Sequence, residues 1–360
     1  METRIVMLGA APETRGSIAS VVDAYRRAGL FDRWAIDYVA THGDGPLLER
    51  VAVWRKAVRA YAAQIALNRR LVVHLHTTPQ RLWTDSVFIG AAMLARAPLI
   101  LHLHGGGFSR LFDHADLGGR AILPLILDRA AVVAVNSDSL RTWVAKVTRN
   151  ANVVTFPDPV TISVTERNAV PNLVLFLGRL EASSGIFDLV EAMAILRNHI
   201  PDARLVCAGD GDRDAVAAHA ARHGIADAVK YTGWVGPSGK RALLESAAAF
   251  AFPSHEEGAS IGLMEAMGAG VPSVASCAGG VSDVVVDGVS GFVVAPGDKA
   301  TLARALRNVL LDGELARRVG AAGRETVRRR CAPERTLPPL EELYRRLGVT
   351  ESSFELKKAA

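Results

Sequence analysis

Short apolar runs alternate with longer amphipathic segments along the chain. In the first half, the apolar runs that predict strands are RIVMLGA, WAIDYVA, LVVHLHT, PLILHLHG and AVVAVNS. In the second half, they are NLVLFLGRL, ARLVCAGDG, VKYTGWV, AAFAFPS, PSVAS and GFVVAP. Amphipathic segments such as SIASVVDAYRRAG and FDLVEAMAILRNHI lie between the runs and predict helices. This alternation is typical of parallel sheets covered by helices, so we predict an α/β fold with two doubly wound, Rossmann-like domains.

A proline-containing segment, NVVTFPDPVTISVTERNAVPN, separates the two series and loses the helical period. The predicted organisation is an N-terminal domain over 1–158, a C-terminal domain over 159–334, a helix over 335–349 and a frayed tail over 350–360. The helix is expected to be entered through Pro338 and Pro339 and to pack back toward the N-terminal domain. Two doubly wound domains usually bind ligands at the carboxyl ends of their strands, so we expect the site in a cleft between them.

Composition narrows the classes of function. The chain is 49% hydrophobic and 22% charged, as in ordinary globular proteins. We find no run of about 18 apolar residues and no signal-peptide pattern, and we expect a cytoplasmic protein. The net charge of +5 suits an anionic ligand or the inner face of an anionic membrane. No basic stripe interleaved with aromatic residues indicates a nucleic-acid partner.

The three cysteines show no paired spacing. Cys207 and Cys277 lie in apolar runs, where we expect buried free thiols. This pattern favours a reducing compartment.

Two strings resemble parts of an esterase. His104 precedes three glycines, and Ser260 lies in a G-x-S-x-G string. An α/β-hydrolase triad requires a histidine after the serine, however, and the last histidine of this chain is His255. We therefore rank the hydrolase interpretation low.

Metal binding is also poorly supported by the sequence. Asp210 and Asp212 flank a glycine between a strand and a helix, where turn formation and helix capping explain them. The alternating histidines of LVVHLHT and LILHLHG have no carboxylate at ligand spacing nearby. We expect no metal site.

The strongest candidate site lies in FPSHEEGASIGLMEAMGAGVP. Glu257 is predicted in a loop, and Glu265 in a helix that begins near Ser260. A helix start of this kind binds anions through its free amides and its dipole. Arg179 directly follows a strand, where its guanidinium can contact a diphosphate or, alternatively, pair with Glu181.

These motifs together resemble glycosyltransferase family 4, whose members are retaining enzymes with the GT-B fold. The resemblance is clearest over residues 172–296 and is carried by FLGRL, CAGDGD, YTGWV, the segment from Pro253 to Pro272, and GFVVAPGD. The first half is similar through its glycine-containing loop after the first strand, LILHLHGGG and AVNSDSLRTWV.

The resemblance implies three catalytic residues: Arg179 on the leaving diphosphate, and Glu257 and His104 near the donor sugar. It implies donor binding by Gly16, Ser17, Ser184, Gly209, Trp234, Val235, Gly258, Ala259, Ser260, Ile261 and Glu265. In this set, Glu265 binds the ribose, and the main chain at Trp234 and Val235 borders the base. The resemblance implies a UDP- or GDP-linked sugar as co-substrate and requires no metal or other cofactor.

One position departs from the family pattern. The family usually has a lysine before the glycine that follows the arginine, whereas this chain has Ser184 before Gly185. Loss of that ammonium removes one positive charge from the diphosphate site.

The resemblance predicts retaining transfer of a hexosyl group to an acceptor hydroxyl, in cell-surface polysaccharide or lipid-linked glycan synthesis. The basic, amphipathic segment LLERVAVWRKAVRAYAAQIALNRR suggests peripheral contact with an anionic membrane, although an ordinary core-facing helix explains it as well. The alternatives are a catalytically weakened, glycosyltransferase-like binding subunit and a GT-B nucleotide-sugar epimerase. The sequence specifies neither donor, acceptor, linkage nor oligomeric state.

Overall fold

The computed structural model describes residues 3–68, 70–163, 167–255 and 260–351. Its internal contacts divide the chain into two compact units. The N-terminal unit runs to Pro159 and also includes the chain from Pro333 onward. The C-terminal unit is Val160–Ala332.

Each unit contains one six-stranded sheet in which every strand pair is parallel. The N-terminal unit contains β1 Arg4–Ala10, β2 Ile36–His42, β3 Leu71–Thr77, β4 Leu99–Leu103, β5 Val132–Val135 and β6 Val153–Thr155. The C-terminal unit contains β7 Leu173–Leu177, β8 Arg204–Ala208, β9 Val229–Gly233, β10 Ala249–Phe252, β11 Ser273–Ser276 and β12 Phe292–Val294. The strand orders are β2-β1-β3-β4-β5-β6 and β12-β11-β10-β7-β8-β9.

Helices connect the strands in both units. The N-terminal unit has α1 Ser17–Arg27, α2 Leu30–Arg33, α3 Leu47–Leu67, α4 Leu82–Leu94, α5 Phe108–His114, α6 Leu117–Arg129 and α7 Asp138–Val147. The C-terminal unit has α8 Ile186–Arg197, α9 Arg213–Arg222, α10 Pro237–Ser246, α11 Ile261–Gly268, α12 Lys299–Leu311 and α13 Gly313–Cys331. The last helix, α14 Pro333–Arg346, belongs to the N-terminal unit.

The strands are apolar because helices cover both faces of each sheet. All residues of β3, β4 and β7 are buried. In the C-terminal unit, Phe176 of β7 lies in a core with residues of α8 and α12. These cores hold the loops and helix starts that follow the strands, and many of the candidate site residues that the structure describes lie in those segments.

Three sequence-based expectations were wrong. Strand β6 lies within the segment NVVTFPDPVTISVTERNAVPN, in which we predicted no strand, and it pairs with β5. Helix α14 starts at Pro333, so Pro338 and Pro339 lie inside it rather than at its entry. Cys277 is exposed, because it follows the last buried residue of β11, whereas Cys207 and Cys331 are buried.

Candidate functional site

The carboxyl ends of β7, β8 and β9 are joined by backbone hydrogen bonds. The amide of Gly178 donates to Ala208 O at 3.1 Å, and the amide of Gly209 donates to Gly233 O at 2.9 Å. Beyond the strands, Leu180 N donates to Asp210 O at 2.7 Å. The loops that carry the predicted donor-site residues therefore lie along one edge of the C-terminal sheet.

Gly209 is required by this close approach. Its φ is 154°, and a Cβ at this position would lie 1.9 Å from Gly178 O. Any larger residue would separate the loops after β7 and β8. The predicted donor-binding role of Gly209 stays a prediction, but its packing role is clear.

Arg179 extends from the end of β7 with 77% of its side chain exposed. Its Nε lies 3.7 Å from Glu181 Oε2. Arg179 is thus close enough to interact with Glu181 and still exposed enough to contact a diphosphate. An exposed pair at this distance contributes little to stability. Arg179 can therefore exchange Glu181 for an anionic ligand at small cost.

Ser184 occupies the position of the family lysine, and its hydroxyl already makes a hydrogen bond within the protein. It ends the short 3-10 turn Ala182–Ser184, and its hydroxyl donates to Glu181 O at 2.7 Å. The next residue, Gly185, has φ 72°, and a Cβ there would lie 1.9 Å from Pro253 O. The turn is thus held against the end of β10, and His255 N donates to Ser183 O at 2.9 Å.

Helix α11 begins at Ile261, as predicted, and Ser260 is its N-cap. The Ser260 hydroxyl accepts from Gly262 N at 3.2 Å. Ser260 is thus used for capping, which is not the geometry of an esterase nucleophile. The helix start remains suited to an anion through its first-turn amides. The predicted site residues Glu257, Gly258 and Ala259 lie outside the described residues.

Glu265 lies in the second turn of α11 and is held by a cation. Lys240 Nζ, on α10, donates to Glu265 Oε1 at 2.5 Å, and the two side chains are 25% and 19% exposed. The ion pair orients the carboxylate while leaving part of it accessible. A carboxylate in this position can accept hydrogen bonds from a ribose diol.

Two other predicted features occupy the same edge of the C-terminal sheet. Trp234 and Val235 follow β9 directly, and Trp234 is 46% exposed. Asp212 is the N-cap of α9, where its carboxylate accepts from Ala215 N at 2.9 Å. Helix capping therefore explains this aspartate.

The remaining predicted residues lie in the N-terminal unit. Gly16 is the N-cap of α1, and Ser17 is the first residue of that helix. His104 follows β4 directly. These residues belong to loops after β1 and β4, which β3 separates in the sheet.

His104 is part of a buried histidine cluster that the sequence analysis missed. His74, His76, His102 and His104 are all fully buried. His76 pairs with His102 across β3 and β4, which places the histidines on one face of the sheet.

Hydrogen bonds connect the histidines in two rows. In one row, His74 Nδ1 lies 2.7 Å from the Tyr344 hydroxyl, and His74 Nε2 lies 3.3 Å from His102 Nδ1. In the other row, His76 Nδ1 lies 2.7 Å from His104 Nε2. His104 Nδ1 also lies 3.2 Å from Asp158 Oδ1, a close contact that does not have hydrogen-bond geometry. Both nitrogens of His104 thus face protein groups.

Burial lowers the pKa values of three of these histidines, His74, His76 and His102. Desolvation, followed by the neighbouring His104, lowers the pKa of His74 to about 3. Desolvation also lowers the pKa values of His76 and His102 well below the ordinary value. Contact between His104 and a sugar stays a prediction, and it requires a group that is buried here to become accessible.

Comparison with known proteins identifies the family. The model of the family described as "Glycosyl transferases group 1" matches residues 160–326. A phosphatidyl-myo-inositol mannosyltransferase from Mycobacterium leprae is 32% identical over 268 residues, covering 72% of this chain and 69% of that protein. The chain belongs to the group 1 glycosyltransferases.

A second relative matches only in part. Glycogen synthase from Mycobacterium tuberculosis is 36% identical over 156 residues, which is 43% of this chain and 38% of that protein. The chain therefore spans well under half the length of that relative.

The fold also agrees with a solved structure. HepE from Anabaena, solved in complex with UDP-glucose, superposes with a TM-score of 0.76 at 19% identity, covering 94% of this chain and 98% of HepE. This likeness concerns the fold. Together with the two six-stranded parallel sheets, it confirms the predicted GT-B class.

Lys240 and Asp158 are further site residues that the sequence analysis missed. Lys240 lies 25 residues from Glu265 and on a different helix. Asp158 lies within the FPDPV junction, and its role depends on a contact with His104, directly after β4. The order of the strands could have suggested that the histidines cluster, but the sequence carries no comparable signal for either of these contacts.

Proposed function

We propose that this glycosyltransferase transfers a hexosyl group from a nucleoside diphosphate sugar to an acceptor hydroxyl, with retention and without a catalytic metal. One observation carries the proposal. An exposed guanidinium, a helix start, a partly accessible carboxylate and an exposed indole all belong to loops and helices at one edge of the C-terminal unit. These groups are Arg179, the start of α11, Glu265 and Trp234.

The chemistry follows from the charge that develops on the leaving diphosphate. Arg179 and the first-turn amides of α11 would stabilise that charge, which is the main electrostatic task in glycosyl transfer from such donors. Glu265 would hold the ribose, and Trp234 with Val235 would border the base. Glu257 and the residues up to Ile261 would hold the donor sugar and its phosphates.

A UDP-linked donor is the first candidate. HepE was solved with UDP-glucose, and its fold covers nearly the whole of this chain. A GDP-linked donor is the second candidate. The choice of base would depend on main-chain groups around Trp234 and Val235.

The acceptor site would lie in the N-terminal unit. A cavity of about 520 Å³ in that unit is lined by apolar Trp83, Leu111 and Ile122 and by polar His114 and Asp116. A sugar with an attached apolar group would suit this mixed lining. We therefore favour an acceptor in cell-surface polysaccharide or lipid-linked glycan synthesis.

Helix α3 supports peripheral contact with an anionic membrane. Leu47 and Leu48 at its start are 70% and 83% exposed, and the exposed Arg55 and Lys56 follow on the same helix. Exposed apolar and cationic side chains on one helix favour an interfacial location at the inner membrane face. Among the described residues, no helix is long and apolar enough to cross a membrane.

A catalytically weakened binding subunit is the second candidate. This candidate is favoured by Ser184, because the family usually has a lysine at this position. The Ser184 hydroxyl also donates its hydrogen to Glu181 O. Such a subunit would bind the donor without turnover. Both the active glycosyltransferase and the binding subunit are therefore expected to bind the donor, but only the active enzyme is expected to turn it over.

The deciding experiment follows the anomeric proton of the donor by NMR. The full chain, treated with EDTA, is incubated with UDP-glucose or GDP-mannose and a panel of alcohol and lipid-linked sugar acceptors. We expect a product with the donor's anomeric configuration, and loss of product in Arg179→Ala but not in Arg317→Ala, a control at an exposed arginine of α13. Donor binding without product would favour the weakened subunit, and an inverted product would overturn the retaining mechanism. Isomerised donor in the absence of acceptor would indicate an epimerase.

A further inference from the structure

Two histidines and a glutamate form an accessible cluster on two neighbouring helices of the C-terminal unit. His219 lies in α9, His223 is the C-cap of that helix, and Glu191 lies in α8. One ligand atom from each residue lies within 4.8 Å of the others. The two histidines are four positions apart, and their ring centroids are 4.7 Å apart. This spacing places both imidazoles on one side of the helix, as in helical metal sites.

The distance between the two helices at this point fits a shared ion. His219 Nε2 lies 3.3 Å from Glu191 Oε1. A tetrahedral ion with ligand bonds of about 2.0–2.1 Å has neighbouring ligand atoms about 3.3 Å apart. In the metal-free chain the same two atoms share a hydrogen bond, which the ion would replace.

Neighbouring groups hold two of the three side chains in position. Lys299 Nζ donates to Glu191 Oε2 at 2.7 Å, and Glu191 Oε1 is the oxygen that faces His219. The ring of Phe187 packs edge-on against the His219 ring, with 5.2 Å between the centroids and 82° between the planes. Outer partners of this kind orient the ligands of a metal ion. The cluster is therefore ordered before an ion arrives.

Solvent can reach the cluster. The side chains of His219 and Glu191 are 14% and 26% exposed, and His223 is an exposed residue. A metal site needs such an entry path. Three protein ligands also leave a fourth position of a tetrahedral ion for water.

Arg222 is the group that competes with an ion at this cluster. Its Nη2 lies 3.0 Å from His219 Nδ1. A guanidinium only donates hydrogen bonds, so Nδ1 accepts, and the ring hydrogen of His219 is on Nε2. An ion bound through Nε2 would shift this hydrogen to Nδ1 and break the contact with Arg222, which is an exposed residue.

We propose that Glu191, His219 and His223 bind a divalent first-row transition metal, with Zn²⁺ as the reference ion. Two imidazoles, one carboxylate and a water molecule are a ligand set that Zn²⁺ takes. The ion would fasten the end of α9 to α8 and has no part in the proposed glycosyl transfer.

The position of the cluster separates it from the proposed donor site. Helices that connect parallel strands run back from the carboxyl ends toward the amino ends of the strands. The end of α9 therefore lies away from the carboxyl edge, where the loops with the donor-site residues are found. Metal binding can fail or succeed independently of glycosyl transfer.

The test is a Co²⁺ titration of the full chain after EDTA treatment and dialysis. We expect one Co²⁺ per chain, the strong visible absorption of four-coordinate Co²⁺, and displacement by Zn²⁺. His219→Gln and His223→Gln should abolish the bands, because each leaves only two protein ligands. Arg222→Ala should tighten Co²⁺ binding, since it removes the competing contact with His219. The matched control is His199→Gln, at an exposed histidine just beyond α8, which should keep the bands.

Thermal unfolding gives a second measurement of the same site. An ion that binds only the folded chain must raise Tm. We expect Zn²⁺ to raise the Tm of the wild type and of His199→Gln, but not of His219→Gln or His223→Gln, and circular dichroism checks that each variant is folded. Absence of the bands or of the rise in Tm in the wild type would overturn the proposal. Bands that persist in folded His219→Gln and His223→Gln, or that are lost in His199→Gln, would overturn it as well.

Discussion

The ammonium of Lys240 lies 2.5 Å from Oε1 of Glu265, so a residue of α10 sets the position of the carboxylate on α11. Both side chains are largely buried, and each restricts the other. Since the predicted partner of Glu265 is a ribose diol, this ion pair bears on nucleotide selectivity.

The Glu265 carboxylate is expected to recognise the ribose 2′-hydroxyl. Wild-type protein should bind the preferred nucleoside diphosphate about tenfold or more tightly than its 2′-deoxy analogue, because a hydrogen bond to a charged group is worth about 1.5–3 kcal/mol. Glu265→Gln should reduce this ratio, and Lys240→Met should reduce it less. Calorimetric titration measures both affinities, with Glu314→Gln, at an exposed glutamate of α13, as the control. An unchanged ratio in Glu265→Gln would remove the ribose assignment.

Arg179 is expected to act mainly on turnover. Arg179→Ala should lower kcat by about 10²- to 10³-fold, as for the loss of one group that stabilises developing charge. Glu181→Gln, which removes only the loose partner at 3.7 Å, should change kcat by less than about threefold. Steady-state kinetics at saturating donor separates the two. Equal effects of both variants would contradict the proposed role of Arg179.

Replacing Ser184 with the family's lysine tests the departure from the pattern. Ser184→Lys should raise kcat/KM for the donor by about tenfold, since it adds a cation near the diphosphate at the cost of one hydrogen bond to Glu181 O. Ser184→Ala removes the same hydrogen bond without adding charge and should not raise the rate. If the lysine variant is no faster than the alanine variant, this position does not reach the diphosphate.

Gly185 is expected to be a strict structural requirement. Gly185→Ala places a Cβ 1.9 Å from Pro253 O at φ 72°, so the loop after β7 must move away from the end of β10. Gly224→Ala is a matched control, because it has φ 70° but no neighbouring atom within 4 Å. Thermal unfolding should show a small loss for Gly224→Ala, about 1–2 kcal/mol, and a clearly larger loss for Gly185→Ala. Similar losses would mean that backbone strain dominates over the clash.

Much of the fold was predictable because the apolar and amphipathic patterns that predict its strands and helices are local in the sequence. Helix α3, Leu47–Leu67, lies within the amphipathic segment LLERVAVWRKAVRAYAAQIALNRR, and all six strands of the C-terminal unit coincide with predicted apolar runs. Strand β6 was missed because three residues beside prolines resemble a linker. The burial of Cys277 was predicted wrongly because an apolar neighbourhood in sequence does not show where a strand ends.

The site was only partly predictable because its contacts join distant residues. The start of α11 at Ile261 and the edge position of Arg179 follow from local patterns. Lys240, by contrast, meets Glu265 only in the folded unit, where its side chain reaches from α10 to α11. The histidine cluster depends on the register that pairs His76 with His102 and on an approach by Asp158 from a different segment.

Thermal unfolding of the full chain with millimolar UDP, GDP or ADP tests the proposed donor site most directly. A nucleotide that binds the folded state at 100 times its Kd adds about 2.7 kcal/mol of stability and raises Tm. We predict that one of these nucleotides raises the Tm of the wild type and of Arg317→Ala, and that Arg179→Ala and Glu265→Gln lose most of the increase. A Tm that no nucleotide changes, or one that rises equally in all four proteins, would contradict the account.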